Sequence, residues 1–268
     1  MTATGNASRT ELRRSRRLGS FPGRLCIVAL VAALLIVPAG AGAQEVFSWL
    51  NRGLAPVEFV PGDWVRYQAS VVDEYGQVTD TLTVTVLRAV DREVWLGMET
   101  SSGLDYIALD PDQLEPGRQI LDALLRVVRS TEAGLVEEDV EALKRSALVQ
   151  RHFTDPFVAP NVERHALPDS VVQGEAIVRE AVLLDETLSE SAGVFVIRTR
   201  LRARAEMSPA IPLLGLLRSQ TNSVVTTEAA SGGRDRSRPA LFTETSLLCI
   251  GYGRKAEIAL PEGIESAN

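Results

Sequence analysis

The stretch that decides the fold is residues 64–72, which read WVRYQASVV. Polar residues alternate there with four apolar ones, namely Val65, Tyr67, Ala69 and Val71. Because successive side chains of an extended strand point to opposite faces, this period of two is typical of an antiparallel strand that buries one face. The stretch therefore predicts a half-buried strand.

The alternation extends outward from this strand. Residues 81–86 and 94–98 repeat it, and short polar turns such as residues 73–76 separate the repeats. Further strands are expected over residues 104–109, 176–184, 195–203, 222–228, 243–252 and 255–260. These segments predict an antiparallel sheet of about eight or nine strands, which tends to curl at that size.

Residues 111–150 interrupt the strands with a different pattern. Asp110 followed by Pro111 is a helix-start signal, and the main helix is expected to begin near Arg118. Its apolar residues at helical spacing are Ile120, Leu121, Leu124, Leu125 and Val128. A second helix is expected over residues 137–150. Residues 153–171, with three prolines, are expected to form a long loop.

These elements predict an α+β, mainly β fold: a curved antiparallel sheet (an open or half barrel) with two or more helices packed on its concave side. Helices in that position bury their apolar stripes against the sheet. The space that they leave is expected to be either a filled core or an apolar pocket.

The N-terminal segment predicts export. Six arginines within the first 24 residues precede an apolar run, which ends in Pro38 and a small-residue site at Ala41 and Ala43. This order is typical of a cleavable signal peptide, so we expect residues 1–43 to be removed and residues 44–268 to form one exported domain. An uncleaved anchor is the alternative. The Ser15–Phe21 segment resembles a twin-arginine signal, but the general secretory (Sec) route is favoured over the Tat route.

Net charge limits which molecules the protein can bind, and the cysteine content excludes an intramolecular disulfide after cleavage. The whole chain carries a net charge of −7. Removal of residues 1–43 takes away six arginines and one glutamate, which leaves about −12. Phosphate-rich partners would repel such a chain, so nucleic acid is excluded, and contact with membrane is expected only through the signal sequence before cleavage. Cys249 would be the single remaining cysteine, and its apolar setting predicts a buried thiol.

No motif in the sequence predicts catalysis. The nucleophile elbow, the zinc-protease motif and the phosphate-binding glycine loops are absent. The two histidines, His152 and His165, have no zinc-ligand spacing and are interpreted as surface residues. We therefore expect no metal, no cofactor and no enzymatic activity.

Four arginines are the candidate ligand-binding residues: Arg198, Arg200, Arg202 and Arg204. They occupy alternate positions of one expected strand, so they must share a face. On one interpretation this face is exposed to solvent, and its arginines pair with Glu180 or other acids on neighbouring strands. On the other, the row recognises an anionic partner such as a lipid headgroup or an acidic protein surface.

Residues 211–217, which read IPLLGLL, are apolar but contain Pro212 and Gly215. A regular central strand would not carry both residues. The segment is therefore either a buried crossover or an apolar flap at the mouth of a cavity.

Three features together resemble the periplasmic lipoprotein-carrier (LolA/LolB-like) half-barrel proteins. They are the opening PGDWVRY of residues 61–67, the helices in the middle of the chain, and the late apolar run followed by residues 219–228. The opening is also similar to that of uncharacterised exported β-rich proteins. The resemblance implies an unclosed barrel that binds acyl chains in an apolar cavity without catalysis. It implies no particular site residue.

The leading hypothesis is a non-enzymatic protein of the periplasm, the extracellular space or the cell envelope, which binds a lipid or another amphiphile in the concave face of its sheet. An envelope scaffold that binds another protein and no ligand is the first alternative. An exported hydrolase with an unrecognised site is the second.

Overall fold

The computed structural model describes residues 45–50, 58–90, 92–114, 118–146, 161–172, 175–192, 195–229, 238–255, 259–262 and 264. The expected signal sequence lies outside these residues. Within them, eleven strands form one antiparallel sheet in the order β6-β5-β4-β3-β2-β1-β11-β10-β9-β8-β7. No hydrogen-bonded ladder joins β6 to β7, so the sheet is open, as predicted.

The strands are β1 (Trp64–Asp73), β2 (Gly76–Val90), β3 (Glu93–Thr100), β4 (Gly103–Leu109), β5 (Leu124–Thr131), β6 (Gly134–Glu137), β7 (Glu163–Val172), β8 (Glu175–Ala192), β9 (Phe195–Met207), β10 (Leu216–Ala229) and β11 (Arg238–Gly253). The helical elements are α1 (residues 45–50), a 3₁₀ turn (Pro111–Gln113), α2 (Ile120–Ala123) and α3 (Val140–Arg145).

The count of eight or nine strands is wrong, because β5 and β6 form within the expected helical insertion and β7 begins within the expected loop. The helix expected from Arg118 is the single turn α2, after which the chain continues as β5. The apolar residues of this segment fit a helix, but pairing with β4 brings Val128 opposite Tyr106. The second expected helix is reduced to α3, preceded by β6, and residues 147–150 lie outside the described part.

Two other predictions, the loop over residues 153–171 and the strand over residues 255–260, differ from the structure. Strand β7 begins inside the expected proline-containing loop and tolerates Pro168 because it is an edge strand of the sheet. The last expected strand, over residues 255–260, does not form at the positions that are described, Lys255, Ala259 and Leu260.

The inner face of the sheet carries the main core. Val65 and Tyr67 on β1, Leu82 on β2 and Leu247 on β11 are all buried there. The helix that packs on this face is α1, a segment that the sequence analysis did not assign to a helix. Its buried apolar residues are Val46, Phe47, Trp49 and Leu50. The expected helices of residues 118–150 contribute little to this face: α2 buries Ile120 there, and α3 buries no residue.

A buried carboxylate joins α1 to the sheet. Glu45 Oε1 accepts hydrogen bonds from Trp49 Nε1 (2.8 Å) and from Thr221 Oγ1 on β10 (2.5 Å). Because a buried carboxylate is costly without partners, these two donors stabilise the position of the helix.

A second apolar cluster lies on the outer face over β3, β4 and β5. It consists of Trp95, Tyr106, Ala108, Val128 and Ile264, with Leu87, Leu104 and Leu260 packed around them. The C-terminal residues Leu260 and Ile264 cover this half of the outer face. Among the helices described, none is long and apolar enough to cross a bilayer.

Candidate functional site

The four arginines of the candidate row lie together on the outer face of β9, at alternate positions opposite the buried Leu201, Ala203 and Ala205. Each has a carboxylate within ion-pair distance. The pairs are Arg198 with Glu228 (3.4 Å), Arg200 and Arg202 with Asp185 (2.9 and 3.0 Å), and Arg204 with Glu206 (3.8 Å). The interpretation that acids on neighbouring strands pair with the row holds for Arg198, Arg200 and Arg202, whereas Arg204 pairs within its own strand and Glu180 pairs with Arg164. Ligand binding by the row stays a prediction.

Asp185 receives two of these arginines. Arg200 donates to it from Nε (3.0 Å) and Nη2 (2.9 Å), and Arg202 donates from Nε (3.0 Å). Hydrogen bonds from Arg200 and then Arg202 hold the pKa of this exposed carboxyl below its usual value. One carboxylate thus neutralises only one of two adjacent guanidinium groups.

Glu206 receives three arginines. It is buried on the outer face, where Arg179 Nη1 on β8 lies 3.0 Å from its Oε2. Arg218 on β10 bonds to its Oε1, and Arg204 Nη2 lies 3.8 Å from that same atom. The sequence analysis missed this centre, although the same period of two that aligns the arginines also places Glu206 on their face.

A shallow groove of about 620 Å³ runs over the row. Its walls combine Arg198, Arg200 and Arg202 with the uncharged residues Thr187, Asn222, Val224, Thr226 and Phe242. The groove is open to solvent, so it presents the arginines as a surface and not as an enclosed site.

A larger cleft, of about 810 Å³, lies at the rim of the inner face. The loop between β9 and β10 forms one wall, β7 and β8 contribute another, and residues 58–63 together with Arg254 complete it. The apolar lining residues are Val60, Ala166, Val178, Met207, Pro209, Ala210, Ile211, Pro212 and Leu213, and the charged ones are Glu58, Asp63, Arg164, Arg179, Glu180 and Arg254.

The apolar wall belongs to the segment that was interpreted from the sequence as either a crossover or a flap. It joins the neighbouring antiparallel strands β9 and β10, so it is not a crossover. We call residues 208–215 the flap. Ser208 N donates to Gly215 O (2.7 Å), and Ile211 N donates to Ser208 O (3.1 Å). Gly215 has φ +65°, and a Cβ there would lie 3.0 Å from Ser208 O, so the turn requires glycine.

Leu213 separates the cleft from the inner face, since its side chain lines both the cleft and a space of about 10 Å³ beside α1. That small space is bounded also by Val46, Leu50, Phe59, Tyr67, Val84, Leu96 and Leu214. The inner face is therefore almost filled at this point. Leu213 has φ +64°, a left-handed conformation that costs about 1–2 kcal/mol for a residue with a Cβ.

Asp63 is the buried acid of the cleft. Its Oδ1 is buried and accepts no hydrogen bond from any described residue. Burial raises the pKa of this carboxyl, Arg254 opposes that rise, and Glu58 adds to it. The cleft therefore contains an acceptor that a donor group of a ligand could use.

Of the two histidines, His165 is exposed and lines the cleft, with Nε2 3.8 Å from Glu163 Oε2, and His152 lies outside the described residues. Across the described ranges, no three His, Cys, Asp or Glu residues are grouped as a metal site would require. Cys249 is buried as predicted, and burial raises the pKa of its thiol.

Two solved structures are similar to this chain, each with a TM-score below 0.5. A proposed outer membrane lipoprotein-sorting protein domain from Vibrio parahaemolyticus has 7% identity and a TM-score of 0.30, with 81% of this chain and 92% of that chain covered. A LolA superfamily protein from Nitrosomonas europaea has 9% identity and a TM-score of 0.26, with 84% and 97% covered.

No protein-family model matches the sequence, and no curated protein matches it. The two structural likenesses assign neither a ligand nor a site residue to this protein.

Proposed function

We propose that this protein is a non-enzymatic, exported protein of the cell envelope that binds a lipid or another amphiphilic ligand in the rim cleft. The observation that carries the proposal is the division of that cleft into an apolar wall and a charged rim. Its volume of about 810 Å³ falls in the range of sites that hold small organic ligands.

The two sides of the cleft match the two ends of an amphiphile. Ile211, Pro212 and Leu213 offer an apolar surface to a hydrocarbon chain. On the other side, Arg164 and Arg254 can pair with a phosphate or carboxylate of a headgroup. Asp63, whose Oδ1 is without a donor, can accept from a hydroxyl or amine of the same headgroup.

The flap supplies a route from the cleft toward the inner face. Leu213 is the side chain that the two spaces share, and its left-handed backbone conformation is strained. Strain of this kind is characteristic of switch segments, because release of the strain offsets part of the cost of moving. A chain longer than the cleft would displace Leu213 and contact the core beside α1.

An envelope scaffold without a ligand is the second candidate, and the packing of the inner face favours it. The sequence predicts either an apolar pocket or a filled core there, and α1 and the flap leave only about 10 Å³ beside Tyr67. A ligand in that position would have to displace residues of the chain itself.

The first experiment is mass spectrometry of lipids extracted from the protein as its host processes it, purified from the envelope without detergent. We expect a stoichiometric acyl-chain species. The cleft itself is tested with dansylaminoundecanoic acid, a fluorescent amphiphile, and with Ala210→Trp, which places a bulky side chain against the exposed wall of the cleft.

Ala142→Trp is the matched control, because Ala142 is exposed on α3 and does not line the cleft. We expect Ala210→Trp to weaken probe binding by about tenfold or more, because the indole ring occupies space in the cleft that the probe requires, and Ala142→Trp to leave it unchanged. A folded protein that carries no lipid and binds no probe would favour the scaffold. Equal loss in both variants would place the ligand elsewhere.

A further inference from the structure

The outer face of β8, β9 and β10 concentrates positive charge in an acidic protein. Six arginines belong to the ion-pair network there: Arg179, Arg198, Arg200, Arg202, Arg204 and Arg218. Three carboxylates, Asp185, Glu206 and Glu228, serve all six. Even when Glu244, which accepts from Gln220 at the margin, is counted, arginines exceed acids by two, although the whole chain carries −7. We call this set the arginine patch.

The arginines of the patch outnumber the acids beside them, and several of the arginines also lie far from those acids or make few hydrogen bonds to them. Arg202 and Arg204 are each 59% exposed. Arg204 lies 3.8 Å from Glu206 and makes no hydrogen bond within the described part of the chain. Arg202 uses its Nε on Asp185, which leaves the two terminal nitrogens directed to no described acceptor. These guanidinium groups can still donate in pairs to an oxyanion.

Three exposed apolar residues of β11 border the patch on the same face, with Glu244 and Ser246 between Phe242 and Leu248; we call these three the apolar stripe. Phe242 on β11 lies in the row that contains Val224 and Arg200, and Leu248 lies opposite Arg218. Phe242, Leu248 and Ile250 are large apolar side chains that stay 40–49% exposed. No described residue covers this half of the outer face, in contrast to the half that Leu260 and Ile264 cover.

We propose that the arginine patch and the apolar stripe dock the protein on an anionic phospholipid bilayer. The arginines would contact lipid phosphates, and Phe242, Leu248 and Ile250 would enter the headgroup boundary. Alternate residues of a strand are roughly 7 Å apart, so the row presents regularly spaced cations to a surface of many anions. The groove over the row is shallow and open, which suits an extended surface.

This proposal revises the expectation, drawn from net charge, that contact with membrane ends with the signal sequence. Salt screens exposed charges beyond about 8–10 Å. The acidic remainder of the chain therefore repels the bilayer weakly when the patch faces it, and it disfavours the opposite orientation. The acidic remainder of the chain thus determines which side of the protein approaches the bilayer, and the local excess of arginine provides the attraction at the contact.

The test is co-sedimentation of the processed protein with vesicles of phosphatidylcholine alone and of phosphatidylcholine mixed with phosphatidylglycerol. We expect binding only to the mixed vesicles, and release as salt is raised. The triple variant Arg200→Gln, Arg202→Gln, Arg204→Gln should bind about tenfold more weakly or worse, because each arginine near an anionic surface contributes to the attraction.

The matched control is Arg92→Gln, Arg118→Gln, Arg145→Gln, which changes the net charge equally outside the patch. It should bind within about twofold of the natural protein, since screening limits the effect of distant charges. Asp185→Asn removes the carboxylate that Arg200 and Arg202 share, and it should tighten binding. A gain that is confined to the mixed vesicles, is reversed by salt and occurs without sedimentation in the absence of vesicles does not arise from misfolding. This variant therefore supports the interpretation of the triple variant.

Three results would overturn the proposal. The first is no binding to the mixed vesicles, and the second is equal loss in the two triple variants. The third is retention of the protein on immobilised polyglutamate, lost with the patch variant, while vesicles stay unbound. That last outcome would show that the patch recognises an acidic protein.

Discussion

The two halves of the outer face use arginine in opposite ways. Over β3 to β5, Arg126 lies 5.2 Å from the centre of the Trp95 ring and pairs with Glu137. There the C-terminal residues cover an apolar cluster, and Trp95 is fully buried. Over β8 to β10 the arginines stand beside one another, with exposed apolar residues at their border.

The difference shows that what surrounds an arginine decides its role. In the covered half, an arginine extends over an aromatic ring and completes a packed cluster. In the open half, arginines crowd around too few carboxylates and stay available to an external anion. The covered half is thus expected to contribute mainly to stability, and the open half mainly to binding.

The largest expected difference between the halves comes from truncation of an aromatic residue in each. Trp95→Ala should lower the free energy of unfolding by about 3–5 kcal/mol, because it leaves a cavity in the covered cluster. Phe242→Ala in the open half should lower it by less, about 1–2 kcal/mol, because the residue is already 40% exposed. Urea unfolding of both variants measures this. Similar losses would show that the stripe is part of a core.

Glu206 is the exception within the open half, because it is buried there. Glu206→Gln should destabilise the protein by about 1–3 kcal/mol, since it leaves the mostly buried Arg179 without its carboxylate. The exposure of Arg204 and Arg218 keeps the loss below that of a fully buried pair. Glu228→Gln, at an exposed pair, should stay within about 0.5 kcal/mol. If the two variants unfold at the same urea concentration, Glu206 has no structural role.

The smallest expected effect is the pH dependence of the stability that the Arg126–Glu137 pair contributes in the covered half. A hydrogen bond from Arg126 lowers the pKa of Glu137 below 4.5 in the folded state. The pair therefore stabilises the fold above pH 4.5, and this contribution is lost as the pH falls through the lowered pKa. Glu137→Gln should reduce stability slightly at pH 7 and flatten its decline between about pH 5 and 3. Urea midpoints at these pH values check it, and an unchanged slope would contradict the assignment.

The central strands could be predicted from the sequence, and the edges could not. In β1 to β3 apolar residues recur at every second position, which predicts strands, although β2 and β3 bury five consecutive residues each. Strand β6 is exposed along its whole length, and β7 contains Pro168. Because an edge strand pairs on one side and buries little, its sequence need not alternate. The two strands that the sequence missed outright are the two edges of the sheet.

Strand β5 was mistaken for helix for a different reason. Its apolar residues fit both periods, and a short apolar run does not distinguish them. Pairing with β4 decided the outcome, because it places Val128 in the cluster with Trp95. Helix α1 was missed because its apolar residues follow directly after the expected cleavage site.

The sequence by itself determined that four arginines share the outer face of one strand, because the alternation of side chains in a strand is local. It also determined the buried face opposite them. Only the tertiary structure decided which acids meet these arginines, since Asp185, Glu206 and Glu228 reach the row through the registers of β8, β9 and β10. It likewise placed Asp63, Leu213 and Arg254 around one cleft. Register and closure depend on hydrogen bonds between distant segments, and no local pattern specifies them.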